Sequence, residues 1–306
     1  FLPTMWKACL DAETYRDGGG TVAEVTQHRV GIHSRSAMAG VANIGDVVNW
    51  TGSDMAQANW YAFGRLCWNT ELSAAQIAEE FLKQTFSADE HFVEPVRQLL
   101  LRSWDTAVSY MMPLGLHHIF SFGHHYGPEP WCAPPNTRLD WLPKYYHRAD
   151  SIGIGFDRTV RGSKAVLQYH EPLATFYGDL ETCPEDYLLW FHHVPWGYVM
   201  RNGLTLWDNL CYIYNDGAEE AREFVDLWQK ARPYIDSERY ERLLKRFERQ
   251  AKDAEWWRDA CLLYFQRYSR RSIPADCLPP VHKLEDLMKF KLHIDNYTVA
   301  DMDNLP

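Results

Sequence analysis

The stretch Met111–Cys132, MMPLGLHHIFSFGHHYGPEPWC, concentrates imidazoles, aromatic rings and prolines. Together with His192 and His193 it supplies three adjacent pairs, His117–His118, His124–His125 and His192–His193. Metal binding is the first chemistry such residues suggest. Neighbouring side chains point in different directions, so at most one histidine of each pair could ligate a given ion, and neither an H-E-x-x-H helix nor a Cys/His finger spacing is present. Hydrogen bonding in a polar cleft is the more economical use, and no metal is expected. Nucleophilic catalysis has less support, since there is no G-x-S-x-G elbow and no cysteine in a protease context. The glycines at 18–20, 153 and 155 match neither a P-loop nor a dinucleotide fingerprint. Acid hydrolysis of a glycosidic bond is the remaining candidate; it needs one protonated and one ionised carboxyl group. Glu129, Asp140 and Asp157 sit in aromatic-rich segments and could serve. Each also has an ordinary reading: Asp157–Arg158 as an ion pair, Asp140 as a turn residue after Asn136.

The elements that must position these groups are mostly helical. Residues 37–45, AMAGVANIG, read as a buried parallel strand, followed by a polar loop and an apolar-periodic helix from Met55 to Trp68. One βα unit cannot bury itself, so it reads as the end of a larger sheet or barrel. At the C-terminal end of such a strand, where barrels bind ligands, stand Asn43, Asp46, Asn49 and Trp50; the plainer reading is a turn at Asn49–Gly52 with Asp54 as a helix cap. Ser73-x-x-Gln76 is a capping box with Leu72 and Ile77 as its staple, and Ser87-x-x-Glu90 repeats the signal before a helix through about Met112. That helix carries Phe92, Val96, Leu99, Leu100 and Val108 on its apolar face, and Pro113 and Gly115 stop it. Residues 113–182 are irregular and rich in Gly, Pro, His and Tyr, as functional loops often are; Pro184 then opens a short helix. Asp216 is expected to cap a helix carrying Ala218, Ala221, Phe224, Val225 and Trp228. From about Glu238 to Arg270 an apolar stripe steps by three and four from Tyr240 to Tyr268, opposite a charged, solvated face.

Composition narrows the partners. The 306 residues carry a net charge of −10 with no cationic stripe, which argues against nucleic acid. No run approaches a membrane span of about 18 apolar residues, so no membrane partner is expected. Thirteen Trp and seventeen Tyr suit sugar faces as well as cores. Seven scattered cysteines without a C-x-x-C argue against a zinc ribbon or a disulfide framework and mildly for a reducing compartment, leaving cytoplasm and periplasm both open. The chain opens on Phe1 rather than Met and is read as continuing from an N-terminal part that precedes it.

Four long motifs carry a resemblance. GVANIGDVVNWTGSDMAQANWYAFGRLCWN, MMPLGLHHIFSFGHHYGPEPW, YYHRADSIGIGFDRT and CPEDYLLWFHHVPW together resemble the xylan α-1,2-glucuronidases of glycoside hydrolase family 67, over about residues 1–268. The resemblance implies an enzyme with an N-terminal β domain, a (β/α)8 barrel and a helical C-terminal domain. It implies removal of glucuronic acid, or its 4-O-methyl ether, from the terminal xylose of xylo-oligosaccharides, with inversion and without a cofactor. It places the catalytic carboxylates before residue 1, so Glu129, Asp140 and Asp157 become pocket or scaffold residues and these 306 residues alone should be inactive. The implied fold is mainly α: residues 1–70 as the C-terminal end of a truncated barrel and 71–306 as the helical domain, which in the family covers the barrel mouth and contributes to a homodimer. Trp141, in DWLPKYYHRAD, matches a tryptophan lent to the substrate pocket. His124, His125 and Tyr126 fall near the same mouth, as do Asn49 and Trp50 at the strand end. The tail after about Ser269 departs from the family pattern. The alternative is a non-catalytic carbohydrate-binding or dimerisation module, against which the unfinished βα unit speaks.

Overall fold

The computed structural model describes residues 1–15, 18–27, 29, 39–41, 51–123 and 125–291. Helices dominate, in agreement with the mainly α expectation. Two compact units are present: residues 1–106 with 222–248, and residues 107–221 with 249–306. The expected strand at 37–45 lies largely outside the described residues, as do Asn43, Asp46, Asn49 and Trp50.

In the first unit, α1 (Pro3–Asp11), α2 (Val22–Thr26), α3 (Asp54–Trp68) and α4 (Ala74–Thr85) precede the long α5 (Glu90–Met111). The Ser73–Gln76 capping box forms reciprocally, and Leu72 packs on the cluster that holds Ile77. Two start signals resolve differently from the sequence expectation. Asp89 rather than Ser87 caps α5: its carboxylate accepts from the His91 N–H at 2.9 Å, and its carbonyl accepts from Phe92 and Val93. Asp54 does not cap α3; it is buried and takes the Arg242 guanidinium at 2.8 Å. Phe92, Val96, Leu99 and Leu100 face the core as expected, but Val108 is exposed. The unit's largest cluster packs Ala58, Phe81, Leu82 and the α5 face against Phe224, Trp228, Tyr240, Leu243 and Phe247. Trp228 is fully buried, and its indole N–H donates to the Tyr240 carbonyl at 3.1 Å, which removes the penalty for burying that donor.

The second unit gathers short elements around two long helices. These are α6 (Pro143–His147), β1 (Gly153–Ile154), α7 (Leu173–Gly178), α8 (Leu188–Phe191), β2 (Val194–Pro195), α9 (Leu206–Ala231), α10 (Ser237–Ser269) and α11 (Leu284–Lys289). α5, α9 and α10 each contribute residues to both units. β1 and β2 pair antiparallel with Ile154 opposite Val194; a Cβ on Gly153 would sit 2.0 Å from the Val194 carbonyl oxygen, so only glycine fits. Helix α9 begins ten residues before the expected cap. Thr205 caps it by accepting from the Asp208 N–H at 3.2 Å, while Asp216 lies inside the helix. Leu206, Trp207, Leu210, Cys211 and Tyr214 extend the apolar stripe backwards and bury it against Ala254, Trp257, Cys261 and Phe265 of α10.

The charged face of α10 is not wholly solvated. Arg258 and Asp259 are buried because the tail crosses them: the Asp259 carboxylate accepts from the backbone N–H groups of Val281 and His282 at 2.9 and 3.1 Å and from His282 Nδ1 at 2.8 Å. Trp256 and Ala260 then meet Leu287 and Phe290. Two tryptophans give a contrast that checks this fold. Trp228→Ala is expected to lower stability by about 3–5 kcal/mol, whereas Trp68→Ala, at an indole 88% exposed, should change the urea unfolding midpoint hardly at all.

Candidate functional site

Helix α5 ends at Met111, and Pro113–Gly115 forms a single tight turn that leads into an extended arm. The arm folds back on itself: Phe120 bridges Pro128, and the Ser121 N–H donates to the Gly127 carbonyl at 3.0 Å. Ile119 points inward and is fully buried. His118 and His125 both hold φ near +60°, at +57° and +61°, a left-handed backbone that non-glycine residues rarely adopt. Their rings converge on Phe120, with centroids 4.6 Å away for His118 and 4.5 Å for His125. Tyr146, from α6, closes on the other face of His118 at 4.6 Å and stacks on Trp190 of α8 at 6.4 Å.

This ring cluster holds Trp141. His118 Nε2 lies 3.1 Å from the Trp141 carbonyl oxygen, which requires the proton on Nε2, and the Tyr146 hydroxyl donates to the preceding Asp140 carbonyl at 3.0 Å. The Trp141 indole is half exposed. Arg138 lies 5.4 Å over its ring and is itself paired with Asp140. Burial lowers the pKa of both His117 and His118; Coulomb repulsion from His118 adds to the effect at His117, while the Trp141 carbonyl opposes it at His118. Both imidazoles are therefore neutral at pH 7.

The other candidate residues fall in different places. Tyr126 donates its hydroxyl to Asp253 of α10, and a Cβ on Gly127 would lie 2.2 Å from the Trp256 ring, so this dipeptide fastens the loop to the helix. Burial raises the Asp253 pKa against the opposing pull of Arg249 and Tyr126. His124, like Asn49 and Trp50, lies outside the described residues. Each of the three candidate carboxylates is engaged. Glu129 pairs with Lys291 at 2.7 Å, Asp140 with Arg138, and Asp157 accepts from Thr159 N–H and Oγ1–H at 2.9 and 2.7 Å. The expected Asp157–Arg158 pair is not formed; Arg158 instead donates to the Trp190 carbonyl. Among the described residues, no three His, Cys, Asp or Glu side chains gather to hold a metal ion.

Sequence reasoning passed over Tyr146, Trp190 and His147. All three stood within quoted motifs, but only the fold brings the first two to His118. His147 is fully buried: its Nδ1 accepts from the Ala149 N–H at 2.9 Å, and Nε2 lies 3.1 Å from the Pro130 carbonyl. It thus ties the end of the histidine-rich loop to the segment after α6.

An exposed indole beside neutral imidazoles can stack on the C–H face of a ring and exchange hydrogen bonds with its hydroxyls. The fold is thus a mainly helical one that leaves the Trp141 indole open beside these imidazoles. Residues 51–277 match the model described as the glycosyl hydrolase family 67 C-terminus, and the chain belongs to that family. It is 34% identical to alpha-glucuronidase A of Emericella nidulans over 279 residues, which is 90% of this chain and 32% of that protein. It is 33% identical to the probable alpha-glucuronidase A of Aspergillus niger and 32% identical to alpha-glucuronidase A of Aspergillus tubingensis, again over 90% of this chain and 32% of each relative. The chain therefore spans about a third of the length of the curated relatives it matches.

The buried imidazole makes a prediction about pH. Burial pushes the His147 pKa from 6.5 down to about 4, against a smaller opposing effect of the Pro130 carbonyl. Below pH 6.5 the unfolded chain takes up a proton that the native imidazole refuses until about pH 4. Stability contributed by His147 is thus full above pH 6.5 and declines as pH falls through that window, by on the order of 3 kcal/mol. Urea unfolding midpoints followed from pH 7 to 4 should fall less steeply in His147→Gln.

Proposed function

We propose that these residues form the C-terminal part of an inverting α-glucuronidase, which removes glucuronic acid or its 4-O-methyl ether from the terminal xylose of xylo-oligosaccharides. Residues 1–70 would be the C-terminal end of a (β/α)8 barrel and residues 71–306 the mostly helical domain. The carboxyl groups that protonate the leaving oxygen and activate water on the opposite face come from the part of the enzyme that this chain does not span. The 306 residues therefore contribute substrate contacts but do not hydrolyse alone. The whole enzyme works as a homodimer and needs no cofactor.

The observation that carries this reading is membership of family 67 together with relatives named alpha-glucuronidase. The geometry around Trp141 supports the assignment of a substrate-facing role. Its backbone carbonyl is held by His118, the preceding carbonyl by Tyr146, and its indole face stays open. His125 belongs to the same ring cluster through Phe120 and His118. Tyr126 ties the loop to α10 through Asp253, and Asn49, Trp50 and His124 are proposed as further substrate contacts. A neutral imidazole at His118 suits the role, since it recognises hydroxyl groups without placing a fixed charge beside the reacting centre.

Two measurements check the proposal. In the full-length enzyme, Trp141→Ala should reduce kcat/KM on glucuronic-acid-decorated xylo-oligosaccharides by about tenfold or more, roughly 1.4 kcal/mol of transition-state stabilisation. Its thermal unfolding should stay unchanged, because a half-exposed indole contributes little to the core. The 306 residues expressed alone should release no glucuronic acid from the same substrates; release would move the catalytic groups into this chain.

A further inference from the structure

Arg158 is 8% exposed, yet no carboxylate among the described residues pairs with it. Asp157, its neighbour, is turned to Thr159 instead. One N–H of the guanidinium donates to the Trp190 carbonyl, and the group lies between two rings, 3.7 Å from the Trp190 centroid and 4.3 Å from that of Phe156. Backbone hydrogen bonds fix the residue on both sides: its N–H donates to the Phe191 carbonyl at 2.8 Å, and its carbonyl accepts from Val166 at 2.9 Å.

A buried cation is normally matched by an anion, because desolvating it without one is costly. Burial lowers the Arg158 pKa, and the groups that oppose this are Tyr145, Tyr146 and Tyr169, which are not carboxylates. The side chain nevertheless remains protonated, as arginine does in proteins. Its free edge is not sealed. Among the described residues, buried side-chain nitrogens without an acceptor belong to Arg97, Trp131 and Arg258, so the unused N–H groups of Arg158 meet solvent. A guanidinium whose faces rest on rings presents its N–H groups along its own plane, the direction from which a carboxylate accepts two parallel hydrogen bonds. The position is also suggestive: Trp190 stacks on Tyr146, which packs against His118, the residue that holds Trp141.

We propose that Arg158 is the receptor for a carboxylate group, bound edge-on between Phe156 and Trp190. That carboxylate has two chemical sources, a uronate carried by the substrate or an acidic side chain from another part of the full-length enzyme. The first source rests on the function proposed above; the site itself does not.

Titration of the 306-residue chain with sodium acetate, sodium glucuronate and glucose, at ionic strength matched with chloride, tests the proposal through tryptophan fluorescence and thermal unfolding. Acetate and glucuronate should quench Trp190 and raise the melting temperature, whereas glucose should do neither. Arg158→Met should weaken carboxylate binding by about tenfold or more. If that variant does not fold, Arg158→Lys should keep the charge but lose the bidentate grip, and the carboxylate-specific rise in melting temperature of the unmodified chain needs no variant. Glucuronate binding through Arg158 that persists in the full-length enzyme identifies the uronate. Acetate binding to the 306 residues that vanishes in the full-length enzyme identifies a protein carboxylate. No carboxylate-specific effect on either protein, or binding indifferent to Arg158, overturns the site. A full-length enzyme without glucuronidase activity would remove only the uronate as a source and leave acetate binding standing.

Discussion

Side chains that bond to backbone groups hold the second unit together where regular ladders are absent. Among the described residues between α5 and α9 the chain forms only short helices and one two-residue strand pair, so side chains join turn hydrogen bonds in pairing the backbone groups. His147 bridges Pro130 and Ala149, the Trp196 indole donates to the Asp150 carbonyl at 2.8 Å, and His192 Nε2 sits 2.9 Å from the Tyr177 carbonyl. Trp207 does the same for Ser272. These are amphipathic side chains, apolar in body and polar at one atom, so each fills the core and satisfies a buried group together. That dual use accounts for the chain's wealth of Trp, Tyr and His.

Neutrality follows from the same constraint. An imidazole that accepts from one backbone N–H and donates to a carbonyl must carry a single proton, and burial enforces this by penalising the charged form. His117, His118, His147 and His192 all have lowered pKa values with desolvation as the leading cause. Of these, His118, His147 and His192 act as hydrogen-bonding wedges against backbone carbonyls. Arg158 stands apart from them as a cation with aromatic flanks and no acidic partner among the described residues.

Helices with regular apolar spacing were legible in the sequence because their pattern is local. The Ser73 capping box and the α10 stripe needed no tertiary information. Misreadings arose where distant segments intervene. Asp216 had the chemistry of a cap, yet Leu206–Tyr214 extends the same buried stripe and the helix passes through it. Arg258 and Asp259 had the chemistry of a solvated face, yet the tail residues Val281 and His282 bond to Asp259 and cover it. At the site, Trp141 and the histidine loop could be singled out from motifs. Their connection through His118, Tyr146 and Trp190 joins positions far apart in the chain, and no spacing rule encodes it.

Backbone strain indicates which part of this arrangement is held most firmly. His118 and His125 both adopt left-handed φ values, at about 1–2 kcal/mol each for residues with a Cβ. Such conformations persist only where the surroundings over-determine them. Here they do: Ile119 between the two is fully buried, the Phe120–Pro128 bridge sets the arm's register, and Tyr126 and Gly127 are locked against α10. The strained backbone turns both imidazoles onto Phe120 and aims His118 at the Trp141 carbonyl. Relaxing either residue to an ordinary φ would redirect its ring, and at His118 would release the carbonyl. The rigid helix α10 thus supports, through the Tyr126–Asp253 bond, a wall whose outermost group is an indole left open to solvent.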